Sequence, residues 1–151
     1  MSPPLDSSFA GRSYPPTRPY EVGREKIREF ADAIGDPHPA YREPEAARAL
    51  GYPDVIAPPT FPIIMSMAAD AQVVLDPELG IDYARVVHGE QRFAYRRPVR
   101  AGDRLTVTLH VDAVRSAGGH SMITTRGEIN TVDGEAVCTA TSTLVVRSAQ
   151  S

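Results

Sequence analysis

Apolar and polar positions change their rhythm along this chain, and the rhythm predicts its elements. Ile27, Phe30, Ala31 and Ile34 recur at helical spacing, and Gly35 stands where the residue past a helix end turns left-handed. A second, short helix is predicted next. Pro44 suits its first turn, Glu43 and Glu45 complement its dipole, and Gly51 can end it. From Thr60 to Leu75 a helix would be apolar on almost every side, with Thr60 as cap and Pro62 in the first turn, where a missing N–H does no harm. Such a helix must be enclosed on most sides, and it is too short to span a bilayer.

Further along, the period drops to two. Val86 to Tyr95 reads as a strand, and Pro98 to Asp103 joins it to the next. There Leu105, Val107, Leu109, Val111 and Ala113 alternate with Thr106, Thr108, His110 and Asp112. Ser116 to His120 is turn chemistry, Met122 to Asn130 a further strand, Asp133-Gly134 a tight turn, and Ala136 to Val146 the last strand. One face of that last strand carries Ala136, Cys138, Ala140 and Ser142, small enough for a helix to approach closely. The other carries Val137, Thr139, Thr141 and Thr143. The picture is an α+β hot-dog, one long helix wrapped by a curved antiparallel sheet. Such a sheet leaves an edge or face for a second copy or a relative to cover, so a dimer is expected.

A chain of 151 residues supports one domain, read here as residues 20–148 behind a flexible N-terminal lead-in, 1–19. A net charge of −3 with scattered arginines gives no electrostatic reason to expect nucleic acid or an anionic membrane as partner. The N-terminus lacks the apolar core of a signal peptide and no long apolar run follows, so a cytoplasmic protein is expected. Cys138, the single cysteine, reads as a buried structural thiol.

The stretch Phe30-Ala-Asp-Ala-Ile-Gly-Asp-Pro-His-Pro-Ala-Tyr41 puts an aspartate and a histidine where a helix stops. Asp36 can simply hold the turn through nearby N–H groups, His38 can be an exposed turn residue between prolines, and Tyr41 can pack against the second helix. Ile34-Gly-Asp-Pro-His-Pro-Ala-Tyr41 also resembles the Gly-Asp-x-Asn-Pro-(Leu/Ile)-His motif of the R-specific hydratases among the MaoC-like hot-dog proteins. The likeness continues through Val55-Ile-Ala-Pro-Pro-Thr-Phe61 and His88 to Asp103, and covers about residues 20–146. It is strongest to the N-terminal MaoC-type dehydratases, a group that includes the non-catalytic subunit of heterodimeric (3R)-hydroxyacyl-ACP dehydratases.

The resemblance implies reversible loss of water from a (3R)-3-hydroxyacyl thioester. An aspartate–histidine pair moves the protons, and a backbone N–H steadies the enolate-like oxygen. Asp36 takes the place of the catalytic aspartate and His38 that of the asparagine, while Tyr41 replaces the catalytic histidine and Pro59 the glycine whose N–H binds the carbonyl. A phenol with a pKa near ~10 is a poor base at neutral pH, and proline has no N–H to offer. Each loss costs about 10²–10⁴-fold.

Three functions are therefore weighed. The first is a non-catalytic or weakly catalytic subunit that binds an acyl-CoA or acyl-ACP and pairs with a dyad-bearing hot-dog chain. The second is a self-sufficient homodimeric hydratase using Asp36 and His38. The third is an acyl-thioester- or lipid-binding dimer without chemistry; thioesterase activity is a weaker fourth. Tyr41, Pro59, Thr60 and Phe61 are the expected substrate-binding residues. Arg92, Arg96, Arg97 and Arg100, near one strand end, are candidates for carrier phosphates. The chemistry calls for no cofactor, and His88, His110 and His120 lack metal-ligand spacing.

Overall fold

The computed structural model describes residues 5–148. Its frame is a five-stranded antiparallel sheet of order β1-β3-β4-β5-β2. The strands are β1 (Tyr20–Glu21), β2 (Val86–Tyr95), β3 (Arg104–Ala117), β4 (His120–Thr131) and β5 (Ala136–Val146). Helices α1 (Arg24–Ala33), α2 (Pro44–Ala49) and α3 (Ile63–Val74) come before the long strands, and α3 packs against β3 and β4. This is the expected hot-dog fold. No helix among the described residues is long and apolar enough to cross a membrane.

Alternation builds the inner face of the sheet. Leu105, Val107, Leu109 and Val111 of β3 are buried, as are Ile123, Thr125 and Ile129 of β4. The expected period fails at Ala113. The β3–β4 register slips between Val111 and Ala113, and the bulge turns Val114 inward to continue the buried row. Gly118 and Gly119, with φ of 58° and 82°, make the two-residue hairpin that follows, where both central residues need positive φ. On β5 the small residues Cys138, Ala140 and Ser142 do face inward, with Leu144.

α3 starts later than the sequence predicts. Thr60 does not cap it. The Phe61 N–H closes a turn onto the Pro58 carbonyl, and Pro62 becomes the residue before the first helical turn, with no side-chain cap. Prolines at 58, 59 and 62 hold this approach out of helical register. The helix buries Met65, Ala69, Val73 and Val74, but Met67 and the adjoining Leu75 stay 57% and 67% exposed. One sheet encloses one side of the helix only.

The two sheet edges differ. Along β3, beyond the short β1, runs part of the segment expected as a lead-in. The Gly11, Tyr14 and Thr17 N–H groups donate to the Val111, Leu109 and Val107 carbonyls, and Arg12 pairs with Asp76 beyond α3. At the other edge, β2 has β5 on one side and no strand on the other among the described residues.

Gly127 sits where β4 passes Leu109 and Ala140, and a Cβ there would lie 2.9 Å from Cγ1 of the fully buried, stiff Val107. Gly127→Ala is expected to destabilise the fold by about 1–3 kcal/mol, measured by urea denaturation.

Candidate functional site

Helix α1 ends in a way that fixes the chain beyond it. Gly35, at φ 72°, donates to the Asp32 carbonyl, and the Asp36 N–H reaches back to Ala31, a paired C-terminal cap. Asp36 Oδ1 then accepts the His38 N–H at 3.1 Å, and His38 Nδ1 accepts the Ala40 N–H at 3.0 Å. That second bond caps the single 3-10 turn Pro39–Tyr41. It also places the ring proton of a neutral His38 on Nε2. Arg42 clips the bend shut, donating to the His38 carbonyl and pairing with Asp32 at 2.6 Å.

The bend delivers Tyr41 to a cavity of about 330 Å³, which it lines with Ile56, Pro59, Tyr95, Arg96 and Arg97. A short pairing of residues 55–57 against 99–101 builds the opposite wall. The Ala57 N–H donates to the Val99 carbonyl at 2.7 Å, and the Ala101 N–H to Val55 at 3.0 Å. Tyr95, at the end of β2, donates its hydroxyl to the Pro59 carbonyl at 2.6 Å and so ties the sheet to the turn before α3. Burial first, then the neighbouring Cys138 and Tyr41, pushes the Tyr95 phenol above its ordinary pKa. Burial first, then the charge of Asp36, does the same for Tyr41. Both are proton-holding groups at neutral pH.

The backbone donors just past Pro59 and Thr60 are committed. Phe61, Ile63 and Ile64 give their N–H groups to Pro58, Thr60 and Phe61, closing the turns that lead into α3. Arg97 is bound to Asp103 through two 2.9 Å contacts and to Glu135 at 3.0 and 3.1 Å. Those bonds raise its pKa and make it a wall rather than a ligand hand. Arg96 makes no ion pair among the described residues and stands exposed at the rim. The arrangement offers a mostly apolar cleft, the Tyr41 phenol and one exposed cation.

Residues 8–140 match the model of a family described as FAS1-like, dehydratase domain region. The chain belongs to that family. It is 62% identical over 146 residues to a UPF0336 protein of Streptomyces avermitilis, covering 97% of each chain. A UPF0336 protein of Saccharopolyspora erythraea is also 62% identical, over 95% of this chain and 92% of that protein. Among solved structures, the C-terminally truncated HadBC (3R-hydroxyacyl-ACP dehydratase) complex of Mycobacterium tuberculosis is similar. Its TM-score is 0.81 at 35% identity, with 91% of this chain and 96% of that one covered. A MaoC-like dehydratase gives 0.86 at 34%, covering 94% of this chain and 43% of the other.

Against this dehydratase frame the expected residues fall into two sets. Tyr41 and Pro59 meet at the cavity. Asp36 is half-buried and His38 exposed, each bonded within the bend, and neither is among the lining residues. Thr60 is exposed outside the lining, and Phe61 is fully buried in the core, its ring edge-on to Phe30 at 5.4 Å and Tyr20 at 6.5 Å. Sequence reasoning missed Tyr95. It was legible as the last residue of a strand, but only the fold brings it to Pro59.

Arg97→Ala leaves Asp103, which is 8% exposed, without its ion partner, and is expected to destabilise by about 3 kcal/mol in chemical denaturation. Arg96→Ala is expected within about 0.5 kcal/mol of wild type. The Cys138 thiol is 3% exposed and pushed by burial up to about 11, so native protein at pH 8 is expected to resist a thiol-specific disulfide reagent that reacts at once after unfolding.

Proposed function

We propose that this chain is the acyl-chain-binding, non-catalytic or weakly catalytic member of a two-chain (3R)-hydroxyacyl thioester dehydratase. A related hot-dog chain supplies the acid–base pair. One observation carries the reading: the cleft is lined by Tyr41 and Pro59, the two residues that the motif resemblance sets in place of a base and a carbonyl-binding N–H. A phenol held above its ordinary pKa donates a hydrogen bond but does not take a proton from carbon at neutral pH. The 35% identity to a dehydratase described as a complex supports the pairing. So does β2, a ten-residue strand whose outer edge carries no strand among the described residues.

In this reading the thioester carbonyl lies near the Tyr41 hydroxyl, and Arg96 at the rim meets the phosphate of a CoA or ACP carrier. The rival in which Asp36 and His38 act alone is disfavoured, because Asp36 Oδ1 and His38 Nδ1 accept backbone N–H groups of the same bend.

Hydration of crotonyl- and longer enoyl-thioesters tests the proposal, with the chain alone and co-expressed with a dyad-bearing hot-dog relative. The chain alone is expected to be at background, and the pair to exceed the relative alone, most of all on long acyl chains. Equal rates for pair and relative would sink the partnership. Tyr41→His with Pro59→Gly is expected to raise the lone chain at least ~100-fold over background, since it restores a base and a donor together.

A further inference from the structure

A second cavity, of about 440 Å³, opens between α3 and β2, away from the Tyr41–Pro59 cleft. Its walls are aliphatic, from Met67, Ala71, Val74 and Leu75 of the α3 region, Val86 of β2 and Leu144 of β5. Three side chains with polar groups also line it, Asp70, His88 and, with its phenol, Tyr83. Asp70 is the lone ionisable residue of α3 and is only 5% exposed.

That carboxyl belongs to a network drawn from four elements. Thr125 on β4 donates its hydroxyl to Asp70 Oδ1 at 2.7 Å, and Ser142 on β5 lies beside the same carboxyl. The Ser142 hydroxyl donates to Gln91 Oε1 at 2.8 Å, and His88 Nε2 lies 3.0 Å from that same oxygen. An amide oxygen only accepts, so His88 carries a proton on Nε2 and donates it there. Hydrogen bonds thus lead from the core to an imidazole at the cavity wall.

A carboxyl this deep in an otherwise apolar helix is unfavourable as an anion. Burial is the largest influence on Asp70 and raises its pKa, opposed by Thr125, Ser142 and His88. A buried carboxyl accepts a hydrogen bond from an alcohol hydroxyl whether or not it carries its proton. Among the described residues no lysine or arginine lines the cavity, so a carboxylate or phosphate would lack a fixed cationic partner beside the Asp70 carboxyl. A cleft of this size with aliphatic walls and a few convergent polar groups has the make-up of a small-molecule site.

We propose that the α3–β2 cavity binds an uncharged aliphatic chain bearing a hydroxyl group, with that hydroxyl held at Asp70 and His88. The inference rests on the acyl-binding reading and extends it. His88 and Tyr95 stand on one strand, separated by about 23 Å of extended backbone. Only an acyl chain long enough to span that separation can have its thioester at Tyr41 and its hydroxyl at Asp70, and the hydroxyl recognised is then remote from the thioester.

The test uses two neutral probes, methyl 12-hydroxydodecanoate and methyl dodecanoate, titrated calorimetrically into the full chain, its Asp70→Leu variant and its His88→Phe variant. Wild type is expected to bind the hydroxy ester about ten-fold more tightly than the plain ester, the worth of one good hydrogen bond. Asp70→Leu is expected to bind both alike. Should that variant not fold, His88→Phe, which leaves the helix untouched, is expected to reduce the preference. Equal affinities in wild type, or a preference that survives in the variants, would overturn the proposal while leaving acyl binding intact. If neither ester binds, the acyl-binding reading falls with it. If the esters are excluded and Ala71→Phe converts a self-associated chain to monomer in sedimentation, the groove is a chain–chain contact and the proposal is overturned.

Discussion

Everything in this molecule hangs on the burial of one side of α3 against one face of a curled sheet. The inward row of β3, from Leu105 to Val111, and the small inward residues of β5 leave room for the helix and little else. Close packing of this kind feels a single added methyl, which is why Gly127 is glycine opposite Val107. Because one sheet covers only one side, Met67 and Leu75 remain in the open beside β2, whose outer edge carries no strand among the described residues. The same geometry creates both cavities. One lies where the chain enters α3 and touches the end of β2, and the other lies where the far part of α3 passes the start of β2.

The entry to α3 links fold to chemistry. A proline-rich turn sets Pro59 at the cleft, the Tyr95 hydroxyl pins that turn to the sheet, and Arg97 with Asp103 and Glu135 braces the wall behind it. The Tyr95 hydroxyl and the Arg97 guanidinium have structural partners, while the Tyr41 hydroxyl and the Arg96 guanidinium have none among the described residues. Holding an acyl group requires shape and a donor, whereas drawing a proton from carbon requires a base poised near neutral pH.

Much of this was legible beforehand because local physics dominated it. β2 begins and ends where its pattern predicts, and α1 stops at Gly35 because only a residue tolerant of φ 72° closes that cap. The bend after it was recognisable from its glycine, aspartate and prolines. Readings failed where one element answers to another. Ala113 left the buried row because β3 bulges against β4, and Thr60 lost its capping role when the preceding prolines closed their own turn. Asp70 drew no notice in an apolar run, since its meaning lies in Thr125 and Ser142, each more than fifty residues away along the chain.

By itself, then, the sequence determined the elements and the hot-dog arrangement, since periodicity, turn chemistry and residue identity are local properties. Only the tertiary structure decided that Tyr95 meets Pro59, that Phe61 belongs to the core, that one sheet edge is covered and the other bare, and that a buried carboxyl faces a second cavity. Those facts depend on which strand neighbours which, and that order is set by the packing of the whole chain.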